Sequence, residues 1–94
     1  MREIKYTSQF KRDYKRENKS GSHKNVLDRD LLRLVKLLAS NKALPRKYCD
    51  HSLGGNWKDY RDCHIKPDLI LIYRKTDDNF LELVRLGSHA KLGL

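Results

Sequence analysis

Apolar positions in this chain repeat with two different periods, and the change comes near the middle. In "VLDRDLLRLVKLLAS", Leu27, Leu31, Leu34, Val35 and Leu38 recur at three- and four-residue spacing. That is the period of an α-helix with one buried face. Asn25 with Asp28 resembles a capping box, with Asp in the place of the usual Glu. Earlier, Tyr6, Phe10 and Tyr14 recur every four residues and run a thin apolar stripe into "SQFKRDYKRENK". This segment reads as a second helix with Ser8 as its N-cap. "SGSHKN" breaks the pattern between the two. Past residue 56 the period shortens. "WKDYRDCHI", "LILIYRK" and "FLELVRLG" read as three short strands, joined by turns at "KPD" and "TDDN". "REIKYT", Arg2 to Thr7, alternates weakly and reads as an N-terminal strand, while "ALPRKYCDHSLGGN" reads as a loop.

The predicted fold is therefore α+β: an N-terminal strand, two helices, then a three-stranded antiparallel meander with the helices packed on one face of the sheet. Either Leu71 and Tyr73 or Ile70 and Ile72 face the helices. The other sheet face, with the loop at 45–56, is left for a site. Residues 1–94 read as a single domain, with no repeat, linker or low-complexity tract. No apolar run reaches 18 residues and no signal peptide is evident. The expectation is a cytoplasmic protein with no membrane partner. Two cysteines, Cys49 and Cys63, are too few for a disulfide scaffold.

Charge changes this picture. The formal net charge is +9, and it belongs to the first half: residues 1–47 carry 14 Lys and Arg against 5 Asp and Glu, residues 48–94 carry 7 against 7. On the first helix Lys11, Lys15 and Lys19 form one row, and Arg12 and Arg16 another. Such a surface suits nucleic acid or an acidic protein.

"RDCHIKPD", Arg61 to Asp68, concentrates chemically active side chains. Pro67 argues against a helix there, so the stretch reads as a strand end, a turn and a strand start. Cys49, His51, Cys63 and His64 invite a zinc site, but C-x-H followed by C-H is not zinc-site spacing. Adjacent strand residues such as Cys63 and His64 also point to opposite faces. We expect no metal and no cofactor, and a cysteine that packs rather than reacts. Lys58, Tyr60, Asp62 and His64 share one strand face, and Trp57, Asp59, Arg61, Cys63 and Ile65 the other. Arg85 lies on the last strand, and "GSHA" sets His89 beyond its end. The meander can bring His51, His64, Asp68, Arg85 and His89 to one surface. Histidines, a carboxylate and an arginine without a metal suit RNA cleavage by its own 2′-hydroxyl. A base takes the 2′ proton, an acid protonates the leaving 5′ oxygen, and a cation stabilises the phosphorane. Each histidine taken alone reads equally as a surface or capping residue.

Two stretches carry a family resemblance: "DHSLGGNWKDYRDCHIKPDLILIY", Asp50 to Tyr73, and "LVRLGSHAKL", Leu83 to Leu92. They resemble the YafQ branch of the RelE-type toxins of bacterial toxin–antitoxin pairs. The resemblance implies a ribosome-dependent mRNA endoribonuclease that is silenced by a cognate antitoxin and inhibits translation. It places the catalytic positions at His51, His64, Asp68, Arg85 and His89, and an acidic residue at Asp62. Lys11, Arg12, Lys15, Arg16, Lys19, Asp62 and Tyr60 are the expected RNA-binding residues, with the basic helix holding ribosomal RNA. The chain departs from the pattern in two places. Leu69 follows the Pro-Asp, and the tail "AKLGL" has no aromatic. Tyr60, Tyr73 or a histidine face is then left for base stacking. The alternatives are a non-catalytic, ParE-like inhibitor of gyrase and a basic RNA-binding module on the same fold.

Overall fold

Two left-over carbonyls at the end of the long helix explain where the chain turns toward the sheet. In the computed structural model, which describes residues 1–19, 27–77 and 79–94, helix α2 runs Leu27–Ala39. Asn41 follows in the left-handed region, with φ 58°. Its N–H donates to the Leu38 carbonyl and the Lys42 N–H to the Leu37 carbonyl, a Schellman closure with Asn in the usual glycine position. Leu27, Leu31, Leu34, Val35 and Leu38 are all buried, as the period predicts. Asn25 lies outside the described residues, so the expected cap is not described.

Helix α1 spans Ser8–Lys19. Its cap is Thr7 rather than Ser8: Thr7 Oγ1 accepts from the Phe10 N–H at 2.9 Å. Thr7 is the last extended residue after strand β1, Glu3–Tyr6, so the hydroxyl one position earlier has the capping geometry. Tyr6, Phe10 and Tyr14 do stack in series, at 5.7 and 6.4 Å.

Among the described residues the sheet has five strands in the order β1-β5-β4-β3-β2. Strands β3 (Arg61–Lys66), β4 (Leu69–Thr76) and β5 (Phe80–Gly87) form the expected antiparallel meander. The N-terminal strand β1 pairs parallel to β5. Further short elements exceed the expectation. His51–Ser52, inside the predicted loop, forms a short strand β2 against Arg61 and Asp62. His89–Leu92 forms a short helix α3, with Ser88 Oγ accepting from the Lys91 N–H. The first strand of the meander also starts later than predicted. Gly55–Trp57 is a 3-10 turn, and Asp59 at φ 76° breaks the extended run before Arg61.

The helices cover the sheet face that carries Cys63, Ile65, Leu71, Tyr73, Leu81, Leu83 and Leu86. This settles the two alternatives for β4. A β-bulge decides what the opposite face carries. Tyr73 pairs with Leu83 and Ile72 with Arg85, so Val84 is the extra residue. The bulge shifts the alternation by one. Leu83 and Leu86 both stay in the core while Arg85 moves to the open face.

Candidate functional site

The register assembles the site. His51 pairs with Asp62, Asp62 with Ile72, and Ile72 with Arg85, so one row crosses four strands on the face away from the helices. The next row is His64, Ile70 and Gly87. Directly paired residues share a face. His51, Asp62, His64 and Arg85 therefore lie on one surface, and His89 enters it from α3. Cys63 is on the other side of β3, fully buried, its thiol pushed up by burial and by the nearby Asp50 and Asp62. It packs in the core among the helix-facing side chains.

Two histidine–carboxylate couples result. His89 Nδ1 lies 2.7 Å from Asp68 Oδ1, and the same oxygen accepts the His89 backbone N–H at 3.0 Å. Pro67 and Asp68 form the two-residue turn between β3 and β4, which aims Asp68 at the start of α3. The His64 ring meets the His89 ring edge-on, at 5.3 Å between centroids. His51 Nδ1 lies 2.8 Å from the Cys49 carbonyl oxygen and 3.0 Å from Asp62 Oδ1. A carbonyl only accepts, so Nδ1 carries a proton, and in the neutral ring Nε2 keeps a free lone pair. The loop before β2 is fixed by Asp50. It accepts from Arg61 at 3.2 and 3.3 Å and from the buried Tyr73 hydroxyl at 2.5 Å. Burial and the Asp50 hydrogen bond push the Tyr73 phenol up.

Arg85 does not stand free. Its Nε donates to Asp13 Oδ2 at 2.7 Å. Asp13 is fully buried on α1 and also accepts from the Leu86 N–H at 3.0 Å and from Arg16 Nη1 at 3.0 Å. Arg16 Nη2 in turn donates to the Leu86 carbonyl at 2.8 Å. Strand β1 ends at Tyr6, and past it these two side chains take over the ladder of β5. A Cβ on Gly87 would sit 2.8 Å from Arg16 Nη2, so the glycine gives Arg16 its path. Burial alone would raise the Asp13 pKa, but the Arg85 and Leu86 hydrogen bonds and the Arg85 charge hold it below the usual value.

Three of the expected RNA contacts are less accessible than the lysines of α1. Asp62 is buried, only 3% exposed. Arg16 is committed to Asp13, Glu17 and Leu86, whereas Lys11, Arg12, Lys15 and Lys19 are exposed. Tyr60 is partly buried beside Trp57, in a small apolar cluster with Ile70, Ile72, Val84 and Leu92 on the site face. Sequence reasoning missed Asp13. Its signal was present: Phe10, Asp13 and Glu17 fall on one helical face, and all three are buried. Acids at that spacing in an otherwise basic helix mark an inward polar face.

A sheet with the helices packed on one face is the architecture that the RelE-type resemblance implied. Residues 2–93 match the family described as the bacterial toxin of type II toxin–antitoxin systems, YafQ, and the chain belongs to that family. It is 45% identical to the mRNA interferase toxin YafQ of Escherichia coli K12 over 93 residues, 98% of this chain and 96% of that protein. The crystal structure of the E. coli DinJ–YafQ complex matches with a TM-score of 0.82 at 42% identity, over 98% of both chains. A metal-bound toxin from Helicobacter pylori matches with a TM-score of 0.86 at 44% identity, over 98% of this chain and 99% of that one.

Proposed function

We propose that this chain is an endoribonuclease toxin that cuts ribosome-bound mRNA through the RNA's own 2′-hydroxyl and is held silent by a cognate antitoxin. The observation that carries this reading is the pair of imidazoles braced through Nδ1 on one sheet face. A brace at Nδ1 leaves Nε2 to exchange protons with a substrate. His51 takes the 2′ proton, the 2′ oxygen forms a bond to phosphorus, and the P–O5′ bond breaks. The 5′ oxygen takes a proton from His89, whose imidazolium is stabilised by Asp68 at 2.7 Å. Solvent exchange then restores both histidines. His64, against the His89 ring, orients it and shares the proton work. Arg85 stabilises the phosphorane charge from its row on β5, with Asp13 setting its position.

Likeness to a protein named mRNA interferase supports the substrate class, and the DinJ–YafQ complex of a relative supports a protein antitoxin as partner. The exposed Lys11, Arg12, Lys15 and Lys19 fit ribosomal RNA phosphates. Among the described residues no helix is long and apolar enough to cross a membrane, which agrees with action in the cytoplasm where mRNA is translated. Primer extension on mRNA in a translating extract tests the reading. Discrete cuts should appear with the protein and vanish with His89→Ala. Intact mRNA at full toxin occupancy of the ribosome would refute it.

A further inference from the structure

Behind His51 lies a buried carboxylate. The Asp62 side chain is 4% exposed, and its Oδ1 has no hydrogen-bond partner among the described residues. His51 Nδ1 comes within 3.0 Å of that oxygen, yet its proton is directed to the Cys49 carbonyl. The charged groups that act on Asp62 are His51 on β2, His64 on β3, His89 on α3, and Asp50 just before β2. None of these is a permanent cation. Burial raises the Asp62 pKa, and the three histidines pull against it. A buried carboxylate oxygen without a hydrogen bond is destabilising and calls for an explanation. Asp68 differs, being mostly exposed and already hydrogen-bonded.

We infer that Asp62 is a positioning residue for the reaction: it holds the His51 ring with Nε2 outward and stabilises the imidazolium formed when His51 takes the 2′ proton. The inference rests on the reading of His51 as the base. While His51 is neutral, no cation lies within ion-pair distance of Asp62 among the described residues. As the proton arrives, a full positive charge appears 3.0 Å from the buried oxygen. The interaction is therefore strongest after proton transfer and weakest in the resting state, which is the condition for lowering a barrier rather than tightening ground-state binding.

Asp62→Asn keeps the shape and removes the charge. Three measurements on the purified full chain separate the possibilities. Imidazole ¹H–¹⁵N NMR should show the His51 pKa falling by about one unit. The acidic limb of kcat/KM against pH should move down with it, and the plateau rate should drop about tenfold or more. Thermal stability should hold or rise, because a poorly compensated buried charge is gone. An unchanged His51 pKa overturns the inference, whatever the rate does. A lower melting temperature with an unchanged His51 titration identifies a structural residue and also overturns it. A shifted His51 pKa with wild-type cleavage removes His51 as the base, and with it Asp62's place in the reaction. Should Asp62→Asn fail to fold, His51→Gln at the exposed position gives the reciprocal test. The Asp62 carboxyl ¹³C titration should move up, and no movement would overturn the pairing.

Discussion

Arg85 on the last strand and Asp13 on the first helix meet at 2.7 Å, and the carboxylate that receives the guanidinium also receives the Leu86 N–H. One buried side chain thus closes the edge of β5 and sets the cation of the open face. Removing one member of such a pair leaves an uncompensated charge, so Asp13→Ala should cost about 3–5 kcal/mol. The Asp13 pKa is held below its ordinary value of 3.8. A depressed carboxylate adds stability above its unfolded pKa and loses it as pH falls through the folded one. Wild type should therefore lose stability below about pH 4 more steeply than Asp13→Asn. Urea titrations at neutral and acid pH check both statements. A loss under about 1 kcal/mol for Asp13→Ala would mean the edge is closed by something else.

Asp68 braces His89 from an exposed turn, so its contribution should fall on rate and not on folding. The Asp68 side chain is 67% exposed. Asp68→Asn should change stability by no more than about 0.5 kcal/mol, the range for surface positions. Its cleavage rate should fall on the order of 10²-fold, the scale of one lost general-acid contribution. Equal rates in single-turnover cleavage of ribosome-bound mRNA would show that His89 works unassisted.

The five basic residues of α1 should divide into two groups. Lys11, Arg12, Lys15 and Lys19 are exposed, while Arg16 is held by Asp13, Glu17 and the Leu86 carbonyl. Neutralising any of the four should weaken ribosome binding and reduce its salt slope by about one for each phosphate left without its cation. Arg16→Gln should instead lower the melting temperature and leave the salt slope alone. A reduced slope for Arg16→Gln in salt-dependent binding would contradict the division.

How far the sequence shows all this depends on the range of the forces involved. The buried face of α2 was legible because five apolar residues repeat over thirteen positions and only one helix face fits them. The histidines and Asp68 were legible through a dense motif. The Val84 bulge was not, although "LVRL" already breaks the alternation, because a bulge is set by pairing with β4. Strand β2 is two residues long and exists only through β3. The depth of Asp62 was illegible for a like reason. Alternation put it on the site face correctly, but alternation does not tell depth, and β2 with His51 covers it.

The chemistry makes the sharpest claim. With the 2′ oxygen as nucleophile, the products are a 2′,3′-cyclic phosphate and a 5′-hydroxyl. Replacing the 2′-hydroxyl by hydrogen at the cut nucleotide removes the nucleophile and leaves the phosphate, the base and every protein contact in place. Cleavage there should stop, while binding to the ribosome stays as it was. The protein side has its own arm. Arg85→Ala should lower the rate on the order of 10²-fold, the scale for one transition-state donor. It also takes a cation away from Asp13, so melting must be followed in parallel to separate the two effects. A chelator added to toxin alone, before dilution into magnesium-containing ribosomes, should leave the rate unchanged, since the proposed proton carriers are both imidazoles. Cutting that persists at the deoxy position would require an outside nucleophile, such as an activated water, and would end the 2′-hydroxyl mechanism regardless of what the mutants do.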